Sequence, residues 1–140
     1  MPITGGCFCG AVQYQINGRL RDAKSCHCSR CRKAFNAQAS ATALVDPAEF
    51  RWLSGESLLS TYVGLHGYGL QFCSLCGSTL CTVCEGQVFQ VSLGCVNGSP
   101  DIEIAQHLYV GSKASWEVIP EGVTQYIEAA APEAGWPHTR

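Results

Sequence analysis

Seven of the ten cysteines in this chain fall into three tight clusters: Cys7-Phe8-Cys9, Cys26-His27-Cys28-Ser29-Arg30-Cys31, and Cys73-Ser74-Leu75-Cys76. Sulfurs two or three residues apart can point at one ion, and the long gaps between clusters force distant segments together. The chemistry this pattern suits is zinc ligation. Two pairs make one closed four-thiolate site, which leaves the triplet one ligand short. A zinc held by three protein ligands is the kind that does chemistry.

Each cluster carries a further cue. Cys73-x-x-Cys76 is followed by Gly77, and Cys7-x-Cys9 by Gly10. A glycine there lets the backbone curl so that amide N–H groups face the thiolates. The triplet Cys26, Cys28 and Cys31 differs in kind. Three thiolates on a dication leave a local charge of about −1, which makes the metal a weak Lewis acid towards water but a good host for a fourth thiolate. A small incoming thiol would be captured there as a nucleophile. The alternative is that His27 or one of the remaining cysteines closes the site and makes it structural, although His27 between two ligands would be strained. Cys81, Cys84 and Cys95 remain. Strand alternation sends Cys81 and Cys84 to opposite faces, which favours core thiols over a redox pair or an auxiliary metal site.

The elements that must position these clusters read mostly as strands. Val12, Tyr14 and Ile16 alternate with polar residues and run into Asn17-Gly18, the dipeptide of a type I′ hairpin turn. Residues 38–45 are rich in small and β-branched types and end at Asp46-Pro47, where Asp46 caps a short helical turn with Glu49 three residues on. Further strand candidates are 50–53, 58–63, 69–72, 78–82, 88–93 and 102–110, separated by turn residues at about the ten-residue spacing of an all-β sandwich or barrel. Helix is confined to single turns at 29–35 and 124–131. The expected organisation is one zinc domain over residues 1–128 and a frayed tail over 129–140, where Pro132, Gly135 and Pro137 cluster.

Composition narrows the function classes. A net charge of −2 with nine Lys plus Arg argues against a nucleic-acid-binding face. No stretch reaches the roughly 18 apolar residues of a membrane helix, and no basic region followed by an apolar run opens the chain. The expectation is a cytoplasmic protein in which thiols stay reduced and clustered cysteines bind metal rather than form a disulfide framework. The charged fraction of 14% is low against a norm of about 25%. That fits a compact β protein, and with exposed strand edges it makes a homodimer plausible.

Three segments in register, Gly6-Cys7-Phe8-Cys9-Gly10-Ala11-Val12, 26–33 and Phe72-Cys73-Ser74-Leu75-Cys76-Gly77-Ser78, resemble the glutathione-dependent formaldehyde-activating enzyme family, which includes centromere protein V. His107-Leu108-Tyr109-Val110, Lys113 and Trp116 are similar to its closing segment, and the resemblance covers roughly residues 3–120. It implies a mainly β fold of two antiparallel sheets in a zinc-pinned β-tent with little helix. It also implies a structural zinc on Cys7, Cys9, Cys73 and Cys76 and a second zinc on Cys26, Cys28 and Cys31. The implied activity is that of a carbon–sulfur lyase, condensing glutathione with formaldehyde to S-hydroxymethylglutathione.

On that reading a small thiol and an aldehyde are the partners, and Arg32 and Lys33 would hold the carboxylates of a glutathione-like ligand unless they are simply a solvated basic edge. His66 and Tyr68 sit in a glycine-rich loop (Gly64, Gly67, Gly69) that would close over the site, and His107 is either a proton shuttle or a hydrogen-bonded structural histidine. The rivals from other classes are a non-catalytic zinc module that binds a small thiol or a protein partner, and a thiol redox protein.

Overall fold

A computed structural model describes residues 1–64 and 67–129. His66 and all but the first residue of the expected 129–140 tail lie outside the described residues. The strands in chain order are β1 (Ile3–Gly6), β2 (Gln13–Ile16), β3 (Arg21–Cys26), β4 (Ser40–Leu44), β5 (Phe50–Ser54) and β6 (Leu59–Val63). They continue with β7 (Tyr68–Cys73), β8 (Thr79–Cys84), β9 (Gln87–Ser92), β10 (Gln106–Leu108) and β11 (Thr124–Gln125). One α-helix, α1 (Ser29–Phe35), follows β3. The protein is mainly β, as the sequence leads one to expect, and its strands form two sheets.

The smaller sheet is antiparallel, in the order β1-β2-β5. The larger runs β11-β10-β3-β4-β9-β8-β7-β6 and is antiparallel from β3 to β6, while β10 lies parallel to both β3 and β11. Period-two alternation drives β2 inward. Tyr14 and Ile16 are both fully buried while Gln13 faces solvent, because successive side chains on a strand point to opposite faces. Tyr14 meets Phe50 of β5 at 5.0 Å between ring centroids and Trp52 edge-on at 6.0 Å. This cluster joins Leu80, Val83, Val88 and Val91 from the larger sheet, and Cys7, Cys73 and Cys81 belong to the same core. Asp46 caps the short turn Pro47–Glu49 as expected, its carboxylate accepting the Ala48 N–H at 2.9 Å.

Several expectations are corrected. Asn17-Gly18 is not a type I′ hairpin turn, since neither residue has the positive φ that turn requires. Both sides of β2 are already paired, with β1 and β5, so the chain leaves for the other sheet, and Asn17 N–H donates to the Glu49 carbonyl at 2.9 Å. Of the strand expected over 102–110 only Gln106–Leu108 forms, ended by Tyr109 at φ +54°. Of the helical turn expected over 124–131, residues 130 and 131 lie outside the described residues, and Thr124–Gln125 forms β11 instead, a parallel edge strand on β10. Strands β1 and β3 escape sequence reading. The first carries two glycines. The second carries Asp22 and Lys24, and Lys24 is buried because its ammonium meets the Asp22 carboxylate at 2.8 Å.

Candidate metal centres

The two knuckles are the turns of two hairpins, one in each sheet. Cys7 and Cys9 lie in the turn joining β1 to β2, while Cys73 ends β7 and Cys76 lies in the turn that follows it to β8. Gly10 and Gly77 both adopt φ +81°, the left-handed conformation a glycine takes without cost. Their amides close the turns, Gly10 N–H to the Cys7 carbonyl at 3.1 Å and Gly77 N–H to the Cys73 carbonyl at 2.8 Å. The Val12 amide donates to Cys7 Sγ at 3.3 Å, as expected of a knuckle. Phe8 N–H donates to Ser78 Oγ at 2.8 Å, which ties one turn to the other.

All four sulfurs lie within 4.8 Å of one another, with Cys7–Cys9 at 3.5 Å and Cys9–Cys73 at 3.8 Å. Tetrahedral zinc with bonds of ~2.3 Å needs sulfurs about 3.8 Å apart, so the set fits. Four sulfurs this close cannot all ionise against one another. The Ser78 hydroxyl and amide draw Cys76 down from 9.0 to about 5. The Ala11 amide favours the Cys9 thiolate, yet the neighbouring Cys7 sulfur and its companions hold Cys9 up at about 11. Burial opposes ionising Cys7, but the Val12 amide and the adjacent sulfurs bring it net below the usual thiol range. A divalent cation among them relieves the repulsion that keeps these values apart.

The triplet is assembled where β3 hands over to α1. Cys26 ends the strand, Cys28 is the helix N-cap, and Cys31 lies in the first turn. The Cys31 amide donates to Cys28 Sγ at 3.3 Å, and the Cys26 amide to Ser40 Oγ of β4 at 3.2 Å. A seven-residue helix is marginal alone and is held here by tertiary bonds, including Thr79 Oγ1 to the Ala34 carbonyl at 3.4 Å. Asn36 in the left-handed region at φ +53° ends it. The three sulfurs lie within 4.8 Å of one another. Cys28 and Cys31 push the Cys26 thiol far up, and burial adds to the effect. That is the behaviour of a thiol set built around a positive charge. With no fourth protein donor in the cluster among the described residues, the set leaves one position of a tetrahedral ion open.

His27 is not that fourth donor. Its ring is fully buried, and Nδ1–H donates to Glu117 Oε2 at 3.0 Å. Its Nε2 shares a proton with His107 Nδ1 at 2.9 Å, with Ser25 Oγ at 3.4 Å. Both ring nitrogens are therefore engaged. Burial, and then the neighbouring His27, lower the His107 pKa, with Glu117 opposing. His107 was singled out from the sequence, but Glu117 was not. No spacing rule links it to His27, and only the fold brings residues 90 positions apart into contact.

The other candidates are dispersed. Arg32 is half-buried, one guanidinium N–H reaches the Ser112 carbonyl at 3.4 Å, and its Nε is a buried donor that meets no acceptor among the described residues. Lys33 is exposed. Tyr68 is no loop residue: it opens β7 and packs on Phe89 at 5.6 Å, and the glycine-rich turn closes the β6–β7 hairpin, across β4, β9 and β8 from β3. Cys81 is buried in the core, its thiol donating to Gln71 Oε1 at 3.4 Å and pushed up to about 12 by burial. Cys95 donates to the Thr79 carbonyl at 3.6 Å. Neither these two nor Cys84 joins a metal-sized cluster among the described residues.

Among solved structures, the chain is similar to the crystal structure of a Rhodobacter sphaeroides protein. The match is at 26% sequence identity and a TM-score of 0.53, over 70% of this chain and 91% of that one. The family model described as glutathione-dependent formaldehyde-activating enzyme matches residues 2–112, a span that takes in both cysteine clusters and His107. The chain belongs to the glutathione-dependent formaldehyde-activating enzyme family.

Proposed function

We propose that the protein is a zinc-dependent carbon–sulfur lyase that joins a small thiol of the glutathione type to an aldehyde and releases it in reverse. The observation that carries this reading is the contrast between two thiol clusters in one chain, one of four sulfurs and one of three. Cys7, Cys9, Cys73 and Cys76 would hold a structural zinc. Cys26, Cys28 and Cys31 would hold the second, whose contribution when bound is to keep a fourth, incoming thiol ionised near neutral pH.

The chain's own residues do the rest. The rigid β3–α1 junction fixes the three sulfurs, and Arg32, one residue beyond Cys31, offers a buried N–H without an acceptor to a substrate carboxylate. Lys33 supplies a second, exposed charge at the same end of α1. Ten free thiols are at home in a reducing compartment, which supports a cytoplasmic location. No helix among the described residues is long and apolar enough to cross a membrane.

Replacing Cys31 by serine tests the reading. We expect one metal per chain to remain, glutathione-dependent turnover of formaldehyde to fall by on the order of 10²-fold or more, and the melting temperature to stay close to that of the parent. A large drop in melting temperature with turnover retained would instead make the triplet a structural site.

A further inference from the structure

Strand β6 (Leu59–Val63) ends the larger sheet, and among the described residues no strand pairs with its outer side. The hydrogen bonds settle which of its residues look outward. Ser74 N–H donates to the Leu58 carbonyl at 2.9 Å, and Gly64 N–H to the Tyr68 carbonyl at 3.1 Å. Between these two bonds the register runs unbroken from Leu59↔Cys73 to Val63↔Gly69, and bonded and non-bonded pairs alternate along an antiparallel ladder. Leu58, Ser60, Tyr62 and Gly64 therefore turn their backbone groups towards β7. Leu59, Thr61 and Val63 turn theirs away from the sheet.

A free edge of this kind is a template for another strand, and proteins blunt it with charge, proline, a bulge or shortness. Strand β6 has none of these. Its five residues, Leu-Ser-Thr-Tyr-Val, carry no charge and no proline, and they pair with β7 without a register shift. The other sheet ends are blunted. Strand β11 is two residues long, β1 is bridged to Val96 through Gly5, and β5 carries Arg51. The far half of β6 is also apolar and open to solvent, with Tyr62 at 66% and Val63 at 61% exposure.

We propose that β6 is a dimerisation edge that takes β6 of a second copy of this chain, antiparallel about a two-fold axis at Thr61. What selects a second copy over any other strand is that β6 complements itself. With Thr61 opposite Thr61, Leu59 falls opposite Val63. All three outward residues of one strand then meet all three of the other, and each pair exchanges two hydrogen bonds. The side chains match in the same register. Thr61 and Val63 share the face that lies over Gly69, and there the exposed Val63 covers Leu59 of the second copy, a residue packed on the core. A Thr–Thr pair at the axis and an aliphatic pair on each side of it are stabilising cross-strand neighbours. On the other face Tyr62 falls opposite Ser60, which is small enough to leave room for the ring. No charge lies on β6, so self-pairing sets no like charges against each other. The two larger sheets become one continuous sheet.

Sedimentation equilibrium of the full-length, zinc-loaded protein tests this. The parent should be a dimer across the micromolar range. Thr61 is exposed, and its Oγ1 accepts from Gln71 Nε2 at 3.3 Å, so a charged side chain there leaves the subunit folded. Thr61→Lys and Thr61→Glu each set like charges against each other at the axis and should raise the dimer dissociation constant about 10-fold. An equimolar mixture of the two should bring it back to the parental value. Thr61→Pro lacks only an outward N–H, which an edge strand tolerates, and should abolish the dimer while melting close to the parent. A parent that stays monomeric overturns the proposal and leaves the edge to a different strand or to none. A dimer indifferent to Thr61→Pro puts the interface elsewhere and overturns it too. A mixture no tighter than either charged variant alone takes the axis away from Thr61, with the same consequence.

Discussion

Cys26 and Cys76 stand at opposite ends of the thiol chemistry of this chain. The sulfurs of Cys28 and Cys31 hold Cys26 protonated well above the usual range, whereas Ser78 lets Cys76 ionise from about 5 upward. Metal must displace the protons that remain on its ligands. Cys26, with its raised pKa, carries one through the neutral range, and uptake there releases it. The knuckle pair carries one too, on Cys9 at about 11, so falling pH loosens both sites, and the triplet, with one thiolate fewer to hold the ion, gives up its metal first. Elemental analysis after dialysis in steps from pH 8 to pH 5 checks this, with two metals per chain dropping to one before zero. Simultaneous loss from both sites would contradict it. Cys81 is a residue of another kind, a core thiol silenced by burial and held at about 12. Replacing Cys81 by alanine should cost about 1 kcal/mol in a denaturant titration and leave both metals bound. Loss of a metal would mark it as a ligand.

At the scale of elements, glycines separate the two ways a hairpin can be constrained. Gly77 needs its positive φ of +81° but has open space around it, so Gly77→Ala should cost only the left-handed penalty, about 1–2 kcal/mol. Gly5 has no such conformation. A side chain there would run into the Tyr14 ring and approach the Cys95 carbonyl to 2.6 Å, backbone that cannot swing away. Gly5→Ala should therefore destabilise more than Gly77→Ala in parallel thermal melts, and the reverse order would mean that β1 sits less tightly on β2 than the packing indicates. The same contrast explains what the sequence made legible. The knuckle glycines follow their cysteines directly, and β2 alternates, so both can be read from spacing. Asn17-Gly18 misleads because the local turn preference loses to a pairing rule, both edges of β2 being taken by β1 and β5. Strand β3 hides because its burial of Lys24 depends on Asp22 rather than on apolar residues. Glu117 was invisible because its meaning lies wholly in the His27 contact.

For the whole molecule, a metal on the four clustered sulfurs would fasten the hairpin turn of one sheet to the hairpin turn of the other, and Cys7 and Cys73 are at once candidate ligands and core residues. In small zinc-dependent modules such a centre contributes ~10–16 kcal/mol of apparent binding energy to folding. Here a core shared by both sheets carries part of the load. Cys73→Ser should lower the melting temperature far more than Cys31→Ser and should raise amide exchange in both turns together. Equal melting temperatures would mean that the sheets hold each other without the metal. The central claim is that one metal site is closed and the other open to a thiol. Loading the protein with cobalt and titrating glutathione while watching the thiolate-to-cobalt absorption tests it most directly. Two cobalt ions per chain, with the spectrum of one changing as glutathione is added, is the predicted result. One ion per chain, or two that ignore glutathione, would contradict it.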